Sequence, residues 1–330
     1  KDLARVHGIG PTTARKIMKR YGYRSVDDLK RAMATEPARL SKALGATSVA
    51  YLQHFDDLQE RIPRAEVEAI REFVRAQAEK AYPFAKSLVL EVCGSYRRGA
   101  TSSGDVDILI TCPHDIPEDT ALSLVPLMLL LKQSGFWLAD LASKHHDEDA
   151  FVRPESPVLV DASTANPHDN ARAHADLVKG SQTFMGIARL APELGGSTKT
   201  RRVDVKAYPF YQFAFATLYF TGSGLANRAM RFHAIRRGFL LSDKGLFPAL
   251  RSRAARLRGG VDGSTSVAMR GPLISCRTER EIYAALGLQY RAPHERNVAE
   301  VRTLDGAKVE LPVAPSGMEV MKGSGGPAGT

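Results

Sequence analysis

CGSYRRGATSSGDVDILI, residues 93–110, runs from the end of one apolar strand-like segment, Ser87–Val92, through a Gly94-Ser95 turn into a second apolar run, Val106–Ile110. Two carboxylates, Asp105 and Asp107, stand two residues apart at the start of that run. Residues two apart on a β-strand point to the same face, so both carboxylates project into one small volume. Left unneutralised they repel and raise each other's pKa. Hard divalent cations, Mg²⁺ above all, relieve that conflict and also carry phosphates. The Gly-Ser turn upstream can present backbone N–H groups to an anion. An Asp-x-Asp pair alone is common on strands as a solvated edge or a capping pair. Here it is accompanied by Gly94, Ser95, Arg97, Arg98, Gly99, Ser103 and Gly104, all suited to binding a charged triphosphate. The stretch therefore reads as metal-assisted phosphoryl or nucleotidyl transfer.

The whole-chain composition agrees. A chain of 330 residues is long enough for two or three domains with real cores. Its 46 Lys and Arg against 36 Asp and Glu give a formal charge of +10, which suits a polyanionic partner. Three cysteines, Cys93, Cys112 and Cys276, form no CxxC pair and no even-numbered framework, which argues for a reducing compartment. The longest apolar run, Ala121–Leu131, is too short to span a bilayer, and no membrane association is expected. No signal peptide is visible. The chain begins at Lys1 rather than Met, so the loss of an N-terminal segment, with any targeting information in it, is expected.

The N-terminal part reads as helical. Val6-His7-Gly8-Ile9-Gly10-Pro11 ends one short helix and starts another over Thr12–Tyr21, with Pro11 where its missing N–H costs nothing. Ser25-Val26-Asp27-Asp28 reads as an N-cap with acidic residues in the first turn. A helix–Gly-Ile-Gly–helix unit resembles a helix-hairpin-helix: the glycines Gly8 and Gly10 let backbone approach a nucleic-acid phosphate and turn amides donate to it. Further helices are expected over Ser48–Arg61, Arg64–Ala81 and, rich in leucine, Glu118–Gly135. The stretch Ala139–Asp176 is polar and reads as a surface loop; its His145, His146, His168 and His174 have no ordered ligand spacing.

A third carboxylate follows. Arg201-Arg202-Val203-Asp204-Val205-Lys206 alternates as a strand with one charged face, placing Arg202, Asp204 and Lys206 together. Tyr219-Phe220-Thr221-Gly222-Ser223 then forms a turn between an aromatic-rich helix, Tyr211–Leu218, and another, Leu225–Arg237. Thr278 opens a short capped helix near the end of the chain.

The string Gly94–Asp107 resembles the active-site signature of the nucleotidyltransferase superfamily, and in its full length that of the family X DNA polymerases of the beta type. The resemblance runs from about Lys1 to Asn297, interrupted near 140–176, 190–200 and 251–267. It implies an α+β fold: a helical DNA-binding subdomain with a helix-hairpin-helix over 1–82, a catalytic palm built on a mixed sheet over 83–210 with an insertion at about 140–176, and a C-terminal α/β nucleotide-selection subdomain over 211–314. The tail, 315–330, has little to bury and is expected to be disordered.

The same resemblance implies the chemistry. Asp105, Asp107 and Asp204 would hold two Mg²⁺ ions, or Mn²⁺ in their place, at the roughly 3.5–4 Å spacing that clamps attacking and leaving oxygens. Gly94, Ser95, Arg98 and Gly104, assisted by Arg61, would bind the triphosphate of a dNTP. Tyr219, Phe220 and Gly222 would line the deoxyribose pocket, and Asn227 would contact the nascent base pair. Gly8, Gly10, Arg202 and Arg231 would contact DNA, and the carbonyls of Ala4, Val6 and Ile9 would hold Na⁺ or K⁺. Gly224 departs from the aspartate usual in the beta type, so side-chain contacts made from that position are not carried over.

The expected activity is template-directed filling of short gaps in base excision repair by a monomer, with gapped or primer-template DNA, dNTP and other repair proteins as partners. Nucleus is the expected compartment, with mitochondrion as the alternative. A lyase domain of the family would precede Lys1. An untemplated, terminal-transferase-like enzyme and a non-catalytic DNA-end-binding scaffold are the other two classes.

Overall fold

The computed structural model describes residues 2–146, 177–250, 269–298 and 300–309. A 3₁₀ turn at Asp2–Arg5 leads through Gly8 and Gly10 into α1 (Pro11–Tyr21), followed by α2 (Val26–Thr35), α3 (Pro37–Ala43), α4 (Ala46–Gln53) and α5 (Phe55–Gln59). Their apolar faces close one core around Leu3, Ile17, Leu29, Leu40 and Leu52. Ser25 caps α2 in a reciprocal capping box: its side chain accepts from Asp28 N–H while Asp28 accepts from Ser25 N–H. The single helix expected over 48–61 is instead two, broken at His54. The break lets Phe55 turn into the core, where Arg5 and Lys30 cover its ring at 5.0 and 5.2 Å.

The middle of the chain forms a five-stranded sheet. Its strands are β2 (Val89–Val92), β4 (Val106–Thr111), β6 (Trp137–His146), β8 (Ser181–Ala188) and β9 (Arg201–Ala207), in the order β2-β4-β9-β8-β6. Only β4 and β9 run parallel, in the register Asp107↔Asp204. Two-residue alternation sorts both strands. Val106, Ile108, Ile110, Val203 and Val205 turn into the main core beneath α6 (Arg64–Ala81) and α8 (Val125–Gln133), leaving Asp107 and Asp204 on the opposite face. Short pairs complete this unit: β1 (Ile62–Pro63) with β3 (Ser102–Ser103), and β5 (Thr120–Leu122) with β7 (Leu177–Lys179). The four-residue helix α7 (Gly94–Arg97) joins β2 to β3.

Two sequence expectations change here. The helix expected over 118–135 starts only at Val125, with Pro126 in its first turn, because residues 120–122 are taken into strand β5. The loop expected from 139 begins as strand: β6 hydrogen-bonds along β8 as far as His146. As an edge strand covered on one side it buries Trp137 and Leu141 and exposes Asp140, so its pattern reads as polar. The rest of that insertion, the 251–267 insertion and the 315–330 tail lie outside the described residues.

The C-terminal unit holds α9 (Phe210–Thr221), α10 (Gly224–Arg236), the hairpin β10 (Phe239–Ser242) and β11 (Gly245–Leu250), β12 (Met269–Arg270) and α11 (Glu279–Ala285). Phe215, Met230, Leu246, Ile282 and Leu286 centre its core. Thr278 caps α11 by accepting from Glu281 N–H. No described helix is long and apolar enough to cross a membrane.

Candidate active site

The register of β4 and β9 sets Asp107 and Asp204 side by side on the sheet face left uncovered by α6 and α8. Asp105 precedes β4, outside the strand itself. Each carboxylate already has a cationic neighbour from β9. Arg202 holds Asp105 in an ion pair. Lys206, only 4% exposed, places Nζ 2.6 Å from Asp107 Oδ1 and 3.2 Å from Asp204 Oδ2. Burial pushes the Asp107 carboxyl above the usual carboxylate range; Lys206 pulls against this and the neighbouring Asp204 adds to it. Burial pulls the Lys206 amine down, but the two carboxylates outweigh it and hold the amine charged.

Would a divalent cation fit? Among the described residues no three acidic, histidine or cysteine groups are drawn together tightly enough to hold an ion as they stand. The donor set is nevertheless that of a hard cation, three carboxylates and no sulfur or imidazole. Asp204 Oδ1 is buried with no hydrogen-bond partner. An orphaned carboxylate oxygen in a desolvated site is costly, and a cation is the partner that would satisfy it. The residues fit the group once Lys206 and Arg202 yield their places.

Around the carboxylates the other expected residues fall into two groups. Gly94 takes φ +61, and a Cβ there would meet Asp107 Oδ2 at 3.3 Å, so only glycine lets the turn pass this close. Gly94 and Ser95 begin α7, where backbone amides have no helical acceptor. Ser95 Oγ donates to Ser103 Oγ at 3.0 Å, beside Gly104. Arg61 donates to Ser102 through Nε (2.9 Å to Oγ) and also to the Ser102 carbonyl. Arg98 is engaged by the C-terminal unit: Nη1 donates to the Thr221 carbonyl at 2.6 Å and Nε to Asn297 Oδ1 at 2.9 Å, next to Gly222. Phe220 lies under Lys206, with Nζ 4.6 Å from its ring centre. Asn227 Nδ2 donates to the Tyr219 carbonyl at 2.6 Å. With Arg231, these two residues line a narrow cleft closed on its other side by Phe215, Leu218, Leu241 and Ser242.

The hairpin at residues 4–10 stands apart, in the N-terminal unit. Val6 N–H donates to the Leu3 carbonyl and Ile9 N–H to the Val6 carbonyl, tightening the turn. Gly8 has φ +83, and a Cβ there would lie 2.6 Å from Ser48 Oγ, which itself donates to the His7 carbonyl at 2.8 Å. Half-burial lowers the His7 imidazole, Arg202 acts in the same sense and Asp204 opposes it, so this turn lies within electrostatic reach of the carboxylate face.

Comparison with known proteins bears on this arrangement. Residues 1–59 match the fingers domain of DNA polymerase lambda, 61–153 the palm of DNA polymerase beta and 216–297 its thumb. The chain belongs to the family X DNA polymerases. It is 31% identical over 295 residues to DNA polymerase lambda of Rattus norvegicus, covering 89% of this chain and 41% of that protein. To the DNA polymerase lambda of Arabidopsis thaliana it is 30% identical, covering 89% and 45%. A DNA nucleotidylexotransferase of Ambystoma mexicanum is 28% identical, with 90% and 52% covered. The chain thus spans about half the length of these curated relatives. Leishmania infantum polymerase beta, solved as a ternary gap complex, superposes with a TM-score of 0.64 at 25% identity, covering 90% of this chain and 89% of that one. Members of this family are metal-dependent nucleotidyltransferases.

Three groups that matter to the site were not singled out from sequence. Lys206 as counter-ion had a usable signal, since two buried carboxylates on adjacent strands demand a cation and position i+2 from Asp204 supplies it. Asn297 and the Thr221 carbonyl, the partners of Arg98, had none; both depend on the tertiary fold. Arg97 likewise reaches across to Glu279 at 2.9 Å, and Glu279 to Arg296 at 2.6 Å.

Proposed function

We propose that this chain is a template-directed DNA polymerase acting as a monomer, which fills short gaps in base excision repair by joining a deoxynucleotide from dNTP to a primer 3′-hydroxyl. The observation that carries this reading is the in-register pair Asp107 and Asp204 on parallel neighbouring strands, with a glycine turn against Asp107 and Asp105 paired to Arg202 just before the strand. Asp105, Asp107 and Asp204 would hold two Mg²⁺ ions, which when bound supply charge neutralisation and an acidified hydroxyl; Mn²⁺ has the same preference for oxygen donors. The remaining work falls to the chain's own residues. Amides of Gly94 and Ser95, with Gly104, receive the triphosphate. Arg98, released from Thr221 and Asn297, neutralises its outer phosphates together with Arg61. Tyr219, Phe220 and Gly222 shape the sugar pocket, and Asn227 and Arg231 face the base pair and template. Amides at Gly8 and Gly10, with Arg202, grip the DNA backbone without reading sequence. The carbonyls of Ala4, Val6 and Ile9 take a Na⁺ or K⁺ ion there.

Single-nucleotide gap filling with Mg²⁺ or Mn²⁺ tests this on wild type and Asp204→Ala. The expected outcome is one-nucleotide extension by wild type and a loss of about 10³-fold or more in the variant, with gapped-DNA affinity nearly unchanged. Turnover of the variant near the wild-type level would overturn the assignment. Similarity to the nucleotidylexotransferase favours a second reading, untemplated addition. Extension of a single-stranded primer with no template would establish it in place of gap filling.

A further inference from the structure

Tyr208 occupies the two-residue joint between β9 and α9, where the catalytic sheet passes into the C-terminal unit. It is 3% exposed and bonded on both sides of that joint. Its N–H donates to the Ile110 carbonyl of β4 at 3.0 Å. Its hydroxyl donates to Asp243 Oδ2 at 2.6 Å. Asp243 and Lys244 are the tip of the β10–β11 hairpin, closed by the pair Ser242↔Gly245. The Tyr208 side chain thus fastens the hairpin tip to the sheet. The Tyr208 ring sits 6.1 Å from Phe220, whose own ring carries Lys206 Nζ at 4.6 Å, and Lys206 spans Asp107 and Asp204. Cys93, Leu109, Ala216 and Phe213 pack the same cluster.

We infer that Tyr208 is a positioning residue that ties the hairpin tip to the sheet, and so holds the C-terminal unit in the arrangement where Lys206 neutralises the aspartates and Thr221 engages Arg98. Burial first, and then Asp243, push the phenol far up, so it stays a neutral donor to a carboxylate, the stronger kind of hydrogen bond. A bond present in one arrangement and absent from another biases the equilibrium between them by its own strength. Its loss lowers the cost of leaving the resting arrangement for right and wrong nucleotides alike.

The inference rests on the polymerase reading of the site, and its test separates the two. In the free protein, without DNA or dNTP, Tyr208→Phe should speed hydrogen exchange of the β10–β11 amides while the palm amides keep wild-type rates. In gap filling the same variant should lower the dNTP KM about tenfold, leave kcat within about twofold, and leave the ratio of matched to mismatched incorporation unchanged. Asp243→Ala should behave as Tyr208→Phe does, and Asp243→Asn, which keeps an acceptor oxygen but not its charge, should fall between that variant and wild type. Unchanged hairpin exchange, or faster exchange with an unchanged KM, overturns the role given to Tyr208. Failure of the wild type to extend any primer would instead remove the polymerase reading, and the exchange comparison would still judge the tie.

Discussion

Lys206 is the residue on which the resting state of the site turns. Two carboxylates on adjacent strands with one buried amine between them form a compact ionic group, and removing one member leaves the others uncompensated. Lys206→Met should therefore destabilise the protein by roughly 3–5 kcal/mol. Because the vacated carboxylates suit a hard cation, millimolar Mg²⁺ should restore much of that loss, and should raise the melting temperature of the variant more than that of wild type. Thermal melts across a Mg²⁺ titration measure this; equal responses in both proteins would mean Lys206 is not the counter-ion. Residues of this kind divide cleanly by legibility. Asp107 and Asp204 were readable because a carboxylate inside an apolar strand run contradicts its surroundings, and Asp105 because it stands two residues before Asp107. For the cations the sequence offered only that Arg202 and Lys206 share a face with Asp204; which of them meets which oxygen is decided by strand register, and register is a tertiary fact.

At the scale of elements, legibility follows how local the determining physics is. Caps were readable because the groups they satisfy lie within four residues, as at Ser25 and Thr278. The two-residue alternation of β9 was equally plain. Edge strand β6 and the short strand β5 were missed, since each becomes a strand only by pairing with a segment far along the chain. The local caps also set an acid limit for the N-terminal helices. The Arg24 N–H first, and Ser25 and Arg31 after it, hold Asp28 below its ordinary value of 3.8; the Val26 N–H does the same for Asp2. A carboxyl depressed in the folded state contributes stability above its unfolded value, and that contribution is lost as pH falls through the folded one. Amides of α2 should lose exchange protection as pH drops below about 4, ahead of the palm strands. Asp28→Asn should flatten the profile. The hairpin before α1 offers a separate test: Gly8→Ala forces a Cβ to within 2.6 Å of Ser48 Oγ at positive φ. Affinity for gapped DNA, measured by anisotropy, should fall several-fold while binding of dNTP is retained.

For the molecule as a whole, the question is what joins the C-terminal unit to the palm tightly enough for a turn in one to control arginines in the other. Glu279 is the centre of that junction. It receives Arg97 Nη1 and Nη2 at 3.1 and 2.9 Å from the palm, and Arg296 Nη1 at 2.6 Å from the segment whose carbonyl accepts from Ser223 N–H. Arg97 also donates to Glu91 at 2.8 Å and to Thr221 Oγ1 at 2.8 Å, so one side chain links β2, the turn and α11. Burial pushes Glu279 up, but Arg296 and Arg97 outweigh it and hold its carboxyl below the ordinary range. The pair therefore stabilises the fold above pH 4.5, the unfolded value, and loses that contribution as pH falls through the lower folded value. Replacing Glu279 by Ala strands Arg296, 1% exposed, without a counter-charge and leaves the largely covered Arg97 with Glu91 alone. The cost should be about 3–5 kcal/mol, with Glu279→Gln in between because it still accepts hydrogen bonds. The damage should concentrate at the junction rather than in either core: calorimetry should resolve a separate, lower-melting transition for the C-terminal unit, and kcat/KM for gap filling should fall because the sugar pocket of Tyr219, Phe220 and Gly222 is no longer held against the palm. A single transition at the wild-type temperature would show that the cores alone hold the two units together.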